Sequence, residues 1–163
     1  MDKYDSKQDT LEHISKVRKY LHIIAYELAL RAEKHDASKL KTPEKEMFDE
    51  VIPKLKGLTY GSEEYKLGIK ELGTALQHHY QHNRHHPEFY ESKGIRGMNL
   101  ADVIEMFCDW CAATFRNEDG NIGKSIDIQL TKLEFGEVLA NIFVNTAQEY
   151  EMGQRSHVAY RKD

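Results

Sequence analysis

Apolar residues at Leu11, Ile14, Val17, Leu21, Ile24 and Leu28 recur at steps of three and four, the spacing of one buried helical face. The pattern predicts a first helix that runs to about Lys34. Thr42, Pro43 and Glu44 then read as an N-cap, a proline at the first helical position and an acid at the positive helix end, so a second, shorter helix starts there. Pro53, Gly57 and Gly61 break it. Ser62 caps a third helix whose stripe is Tyr65, Ile69, Leu72 and Leu76, and whose next step lands on His79. From His82 to Gly97 there is no stripe, and Pro87, Gly94 and Gly97 mark a loop.

Asn99 caps a fourth helix. On it Leu100, Val103, Ile104, Phe107, Cys108 and Cys111 share one arc, while Asp102, Glu105, Asp109 and Arg116 share the opposite one. Asn117 to Gly123 reads as a polar turn. Ile126, Leu130 and Leu133 predict a short helix, and Val138, Leu139, Ile142, Phe143, Thr146 and Tyr150 a longer final one. No strand-like alternation and no internal repeat is present, so the fold class expected is all-α.

Length and composition narrow this further. The chain has 163 residues with 40% hydrophobic and 31% charged positions, only 3 Pro and 10 Gly, which suits one globular domain and excludes a low-complexity or collagenous chain. We expect a single domain over 1–163, with its core at about 10–152 and a polar tail at 153–163. No apolar run reaches the roughly 20 residues of a membrane span, and the charged first ten residues do not resemble a signal peptide. A cytoplasmic location is expected. The net charge of −4 offers no field for strong nucleic-acid binding.

The nine histidines change the picture most, because His78, His79, His82, His85 and His86 fall within nine consecutive residues. A solvated loop has no need of clustered imidazoles, whereas a cation does. His35 and Asp36 stand side by side after the first helix, pairing a borderline nitrogen donor with a hard anionic oxygen, a combination that suits a divalent ion. The ordinary alternative is a histidine meeting the negative end of a helix. His13 sits at the rim of the first helix's apolar face, where a core histidine is the commoner meaning. Asp102, Glu105 and Asp109 form a carboxylate row on an otherwise apolar helix, and such a row needs a metal or Arg116 to balance it. Cys108 and Cys111 form a C-x-x-C, but with no preceding strand they read as buried core thiols rather than a redox pair. The string HNRHH superficially matches His-Asn-His nucleases, whose strand-and-helix finger is missing here.

The order His13, then His35 with Asp36, then a distal Asp109, resembles the H…HD…D signature of the HD-domain metal-dependent phosphohydrolases, an all-α superfamily. The segment HDASKL is similar to the HDIGK of the HD-GYP branch, HHPE to its HHE, and VIEMFCDWCAATFR to the segment around its last metal-binding Asp. The combination is most similar to a small family of HD-like phage and bacterial proteins. The resemblance covers about residues 10–117; the GYP element is absent, and His79 stands closer to the histidine pair than in that branch. It implies an HD-like helical bundle in which His13, His35, Asp36 and Asp109 are the core ligands, with His79, His85 and His86 holding a second ion. Asp102 and Glu105 would then support the ligands or the fold.

The resulting expectation is a metal-dependent phosphohydrolase, a phosphomonoesterase or phosphodiesterase, whose substrate is a small phosphorylated molecule, a nucleotide in the first instance. One or two divalent ions would serve it, chosen from Mn, Fe, Co, Ni, Mg and Zn, because the donors are nitrogen and oxygen alone. Asp36 would bridge the ions, Lys39 would meet a phosphate oxygen, and Arg84 or Arg116 would provide a second cationic contact. The alternative is a non-catalytic metal-binding or ligand-sensing module, such as a phage protein acting on a host factor.

Overall fold

The computed structural model describes residues 4–59, 61–116 and 120–153. It is all-α, with no strand among the described residues, and no helix there is long and apolar enough to cross a membrane. The chain divides into two compact units, residues 1–35 and 36–163, each described by itself below.

The first unit is one helix, α1 (Lys7–Lys34), of 28 residues. It contains neither Gly nor Pro, Asp9 lies at its positive end, and Arg31 and Lys34 lie at its negative end. Arg31 bonds Glu27 at 2.8 Å, one turn back. The predicted helix is there, but burial of its stripe is not: Leu11, Ile14, Val17, Leu21 and Ile24 are all exposed, and α1 has no buried residue. Periodicity reports the face on which apolar residues collect; whether that face is covered depends on what packs against it.

The second unit begins with Asp36, whose backbone adopts the left-handed conformation (φ 55°) that Asp tolerates better than most residues. A 3₁₀ turn, Ala37–Leu40, follows. Next come α2 (Glu44–Leu55), α3 (Glu63–Glu71) and α4 (Gly73–His82). Pro53, expected to break α2, lies inside it, and the helix ends at Leu55, ahead of Gly57. The single third helix expected from Ser62 to His79 is two helices. Gly73, at φ +46°, adopts a backbone conformation that no continuing helix uses, and α4 starts afresh from it. Val51, Leu55 and Leu72 form the buried centre of these three helices, with Phe48, Ile69 and Leu76 around them.

The predicted loop is a run of 3₁₀ turns at Pro87–Gly97, kinked at Glu91 and Gly94. Asn99 caps α5 (Leu100–Ala113) as expected and closes a reciprocal capping box with Asp102. After a short 3₁₀ turn, Thr114–Arg116, come α6 (Ile122–Leu133) and α7 (Glu137–Glu149). Residues 117–119 of the expected polar turn, and 154–163 of the expected tail, lie outside the described residues.

Met106, Phe107 and Cys111 of α5, Ile122 and Ile126 of α6, and Ala140, Phe143 and Ala147 of α7 make a second apolar centre. Phe107 stacks on Phe143 with ring centroids 4.8 Å apart. The final helix therefore buries a line displaced from the predicted one, leaving Val138, Ile142 and Tyr150 exposed. On α5, Leu100 and Cys108 are likewise exposed, so only Cys111 is a buried thiol. Burial pushes the Cys111 thiol up to about 12, aided by the neighbouring Cys108.

Candidate metal centre

Glu44, the first residue of α2, is fully buried, and three donors converge on its carboxylate. His78 Nδ1 donates to Oε1 at 2.7 Å, His79 Nδ1 to Oε2 at 2.9 Å and Ser38 Oγ to Oε2 at 2.9 Å. Burial alone would raise its pKa, but the bonds from His78, Ser38 and His79 outweigh that and hold the carboxyl below its ordinary range. An ionised carboxylate accepts only, so the proton of His79 is on Nδ1 and its Nε2 presents a lone pair. Asn83 fixes the same corner by donating to Ser38 Oγ and to the His79 carbonyl, both at 2.8 Å.

His85 repeats the arrangement from the other side. Its Nδ1 lies 3.2 Å from Glu105 Oε1 on α5, and its Nε2 is 3.5 Å from Asp36 Oδ1. His79 Nε2 is 3.4 Å from the same Asp36 oxygen, and His86 Nε2 is 2.8 Å from His79 Nε2. One ligand atom each from Asp36, His79, His85 and His86 falls within a span of 4.8 Å. Donors held about 2.1 Å from one ion stand roughly 3.0–3.4 Å apart, close to these separations. Imidazole nitrogens and an anionic oxygen gathered within this span are the donors such an ion takes. The donor set fits a divalent transition ion for that reason.

Two of the imidazoles, His79 and His86, are also shifted toward the neutral form that a ligand needs. Burial, and next the charge of Lys39, lower the His79 pKa against the pull of Asp36 and Glu44. Burial and the neighbouring His85 and His79 bring His86 down to about 3.

Of the residues expected in the site, Asp36, His79, His85 and His86 come together. A carboxylate oxygen of Asp109 lies within 4.8 Å of one of Asp36. His13 is exposed on α1, and His35 directly follows that helix; both belong to the first unit. Lys39, expected on a phosphate, ion-pairs with Asp36 Oδ2 at 2.5 Å and lies over the Phe48 ring at 5.3 Å. It steadies the carboxylate whose other oxygen faces the histidines.

Arg84, also expected on a phosphate, has a partner within the fold. Its guanidinium makes two bonds to Asp102, at 3.1 and 3.3 Å, and sits 5.5 Å from the ring centroids of both Phe89 and Tyr90. The buried Asp102 carboxylate also accepts from the Tyr90 hydroxyl and the Asn99 N–H, so Arg84 neutralises a structural charge there. Arg116 lines a cavity of about 590 Å³ whose wall includes His85, His86 and Asp109.

Glu44 went unassigned in the sequence, where its position at a helix start explains an acid without suggesting burial. Glu105 stands in the sequence as one of a carboxylate row and, through the resemblance, as a residue supporting the ligands or the fold; its partner His85 is given only by the structure.

No curated protein and no solved structure matches the chain. The model of a family of unknown function, DUF5662, matches residues 2–152, and the chain belongs to that family.

Proposed function

We propose that this protein is a metal-dependent phosphohydrolase that acts in the cytoplasm on a phosphate ester, in the first instance a nucleotide. The observation that carries the reading is the pair of imidazoles, His79 and His85, each held through Nδ1 by a buried or half-buried carboxylate and each aiming Nε2 at Asp36 Oδ1. The resemblance to HD-domain hydrolases adds the reaction class. A divalent ion held there would supply an activated water and neutralise charge on the phosphoryl oxygens. Asp36 and the three histidines would hold that ion, Glu44 and Glu105 orient two of the rings, and Lys39 steadies Asp36. Arg116 is the remaining cationic contact for the ester.

A second reading has one observation in its favour. Four protein donors suffice to close a tetrahedral shell, the arrangement of a structural or sensing site rather than one with an open position. Metal analysis of protein purified without a histidine tag, followed by a screen of nucleotides and sugar phosphates with each of Mn, Fe, Co, Ni, Mg and Zn, separates the two. Turnover by metal-loaded protein, lost in Asp36→Ala together with the metal, is the hydrolase result. Tightly bound metal with no turnover across the panel establishes the binding module, and absence of any bound divalent ion removes both.

A further inference from the structure

The cavity that His85, His86 and Asp109 border extends well beyond them, between α3, α5 and α6. Its wall is mostly apolar, formed by Tyr65, Ile69, Met106, Trp110, Ile128 and Leu133. At about 590 Å³ it is of the size that encloses a small organic molecule. Four cations also line it. Two are occupied, Lys66 by Glu63 at 2.6 Å and Lys132 by Glu88 at 3.4 Å. The other two, Lys70 and Arg116, ion-pair with no carboxylate among the described residues. An apolar chamber with two cations that form no ion pair among the described residues, and a histidine cluster at its border, is matched to an anion with a flat, apolar body.

We propose that this cavity is the subsite for the organic part of the substrate, and that it selects phosphate esters of aromatic or otherwise flat apolar alcohols over those of small polar ones such as simple sugars. The proposal rests on the hydrolase reading and gives it a substrate preference. The phosphoryl end lies at His85, His86 and Asp109, and the body lies against Trp110 and the aliphatic side chains of α3 and α6. Lys70 and Arg116 draw the anion into a chamber that would otherwise disfavour it. Trp110 is half-buried, and its ring stands 6.1 Å from Phe135 and 5.6 Å from Phe143, so its indole has rigid support on the core side.

Trp110 is also the chain's single tryptophan, so its fluorescence reports occupancy of this cavity alone. The experiment titrates the full chain, metal-free and loaded with Mn²⁺, with phenylphosphonate and methylphosphonate, whose C–P bonds resist hydrolysis. The expected result is a fluorescence change with phenylphosphonate and an affinity at least about tenfold tighter than for methylphosphonate, from burial of the ring. Ile128→Asp should abolish that preference while leaving methylphosphonate affinity in place. Lys70→Ala and Arg116→Ala should weaken both phosphonates by similar factors, and less so at high salt. Equal affinity for the two phosphonates, a silent Trp110, or no binding of either overturns the subsite whether or not the variants fold. Mn²⁺-enhanced binding of methylphosphonate with no phenyl preference would leave the metal reading standing and remove the subsite. A phenyl preference in protein that binds no metal would do the reverse.

Discussion

Asp102 and Asp36 belong to the same unit and stand at opposite extremes of how a protein treats a carboxylate. Asp102 is fully buried and surrounded by donors: the Arg84 guanidinium, the Tyr90 hydroxyl and the Asn99 backbone N–H. Asp36 has Lys39 on one oxygen, but its other oxygen faces two imidazole nitrogens whose protons are committed elsewhere, to Glu44 and Glu105. The first arrangement is electrostatically complete and makes structure. The second gathers ring nitrogens and a carboxylate oxygen as a ligand set would, and that difference, more than burial or charge count, is what the proposed metal reading rests on.

The comparison breaks most visibly at the two carboxylates themselves. Asp102→Ala leaves Arg84 and Tyr90 without their acceptor and removes the capping box, and should cost about 3–5 kcal/mol in a urea melt. Asp36→Ala should cost the metal-free protein less than about 1 kcal/mol yet abolish metal binding by calorimetry. Comparable destabilisation by both would erase the distinction.

A smaller effect tests the carboxylates behind the rings. Glu44→Gln keeps the size but substitutes an amide that cannot accept from both His78 and His79, so metal affinity should fall about 10–100-fold. Glu105→Gln should act similarly through His85. Unchanged affinity in both variants would show that the rings need no holding.

The two arginines sharpen the contrast from the cationic side. Arg84→Ala should lower stability by about 1–3 kcal/mol, as a buried acceptor loses its charged partner, and leave KM for any substrate unaltered. Arg116→Ala should raise KM and leave the melt unchanged. A KM effect in Arg84→Ala would return that residue to the site.

The least effect concerns α5 away from both carboxylates. Because the Cys111 thiol is pushed up to about 12, while an unfolded cysteine titrates near about 8.5, folding keeps its proton on. Its contribution to stability is full below the unfolded value and is lost as pH rises toward the folded one. Iodoacetamide at pH 8 should therefore label the exposed Cys108 first and slowly, and Cys111 only on unfolding, as read by peptide mass spectrometry.

Particular residues show where sequence reasoning stops. The helix starts at Glu63 and Leu100 were legible because Ser62 and Asn99 are local caps acting over three residues, whereas α2 begins one residue later than expected, with Pro43 instead of Thr42 at its cap and no side-chain bond there. The buried line of α7 was not, since it runs through Ala140 and Ala147, and a small side chain is buried only because another helix approaches closely there. Arg84 and Arg116 read alike as isolated cations. Asp102, 18 residues from Arg84, tells them apart.

The sequence by itself determined the all-α class, the caps of α3 and α5, and the concentration of imidazoles that makes a cation site worth seeking. These follow from backbone geometry and composition, which act over a few residues. Only the tertiary structure decided that Glu44 and Glu105 lie behind His79 and His85, that Asp36 faces both rings and that Arg84 serves Asp102. A carboxylate's role is set by the donors and lone pairs that reach it through space, and here they come from elements up to 49 residues apart along the chain.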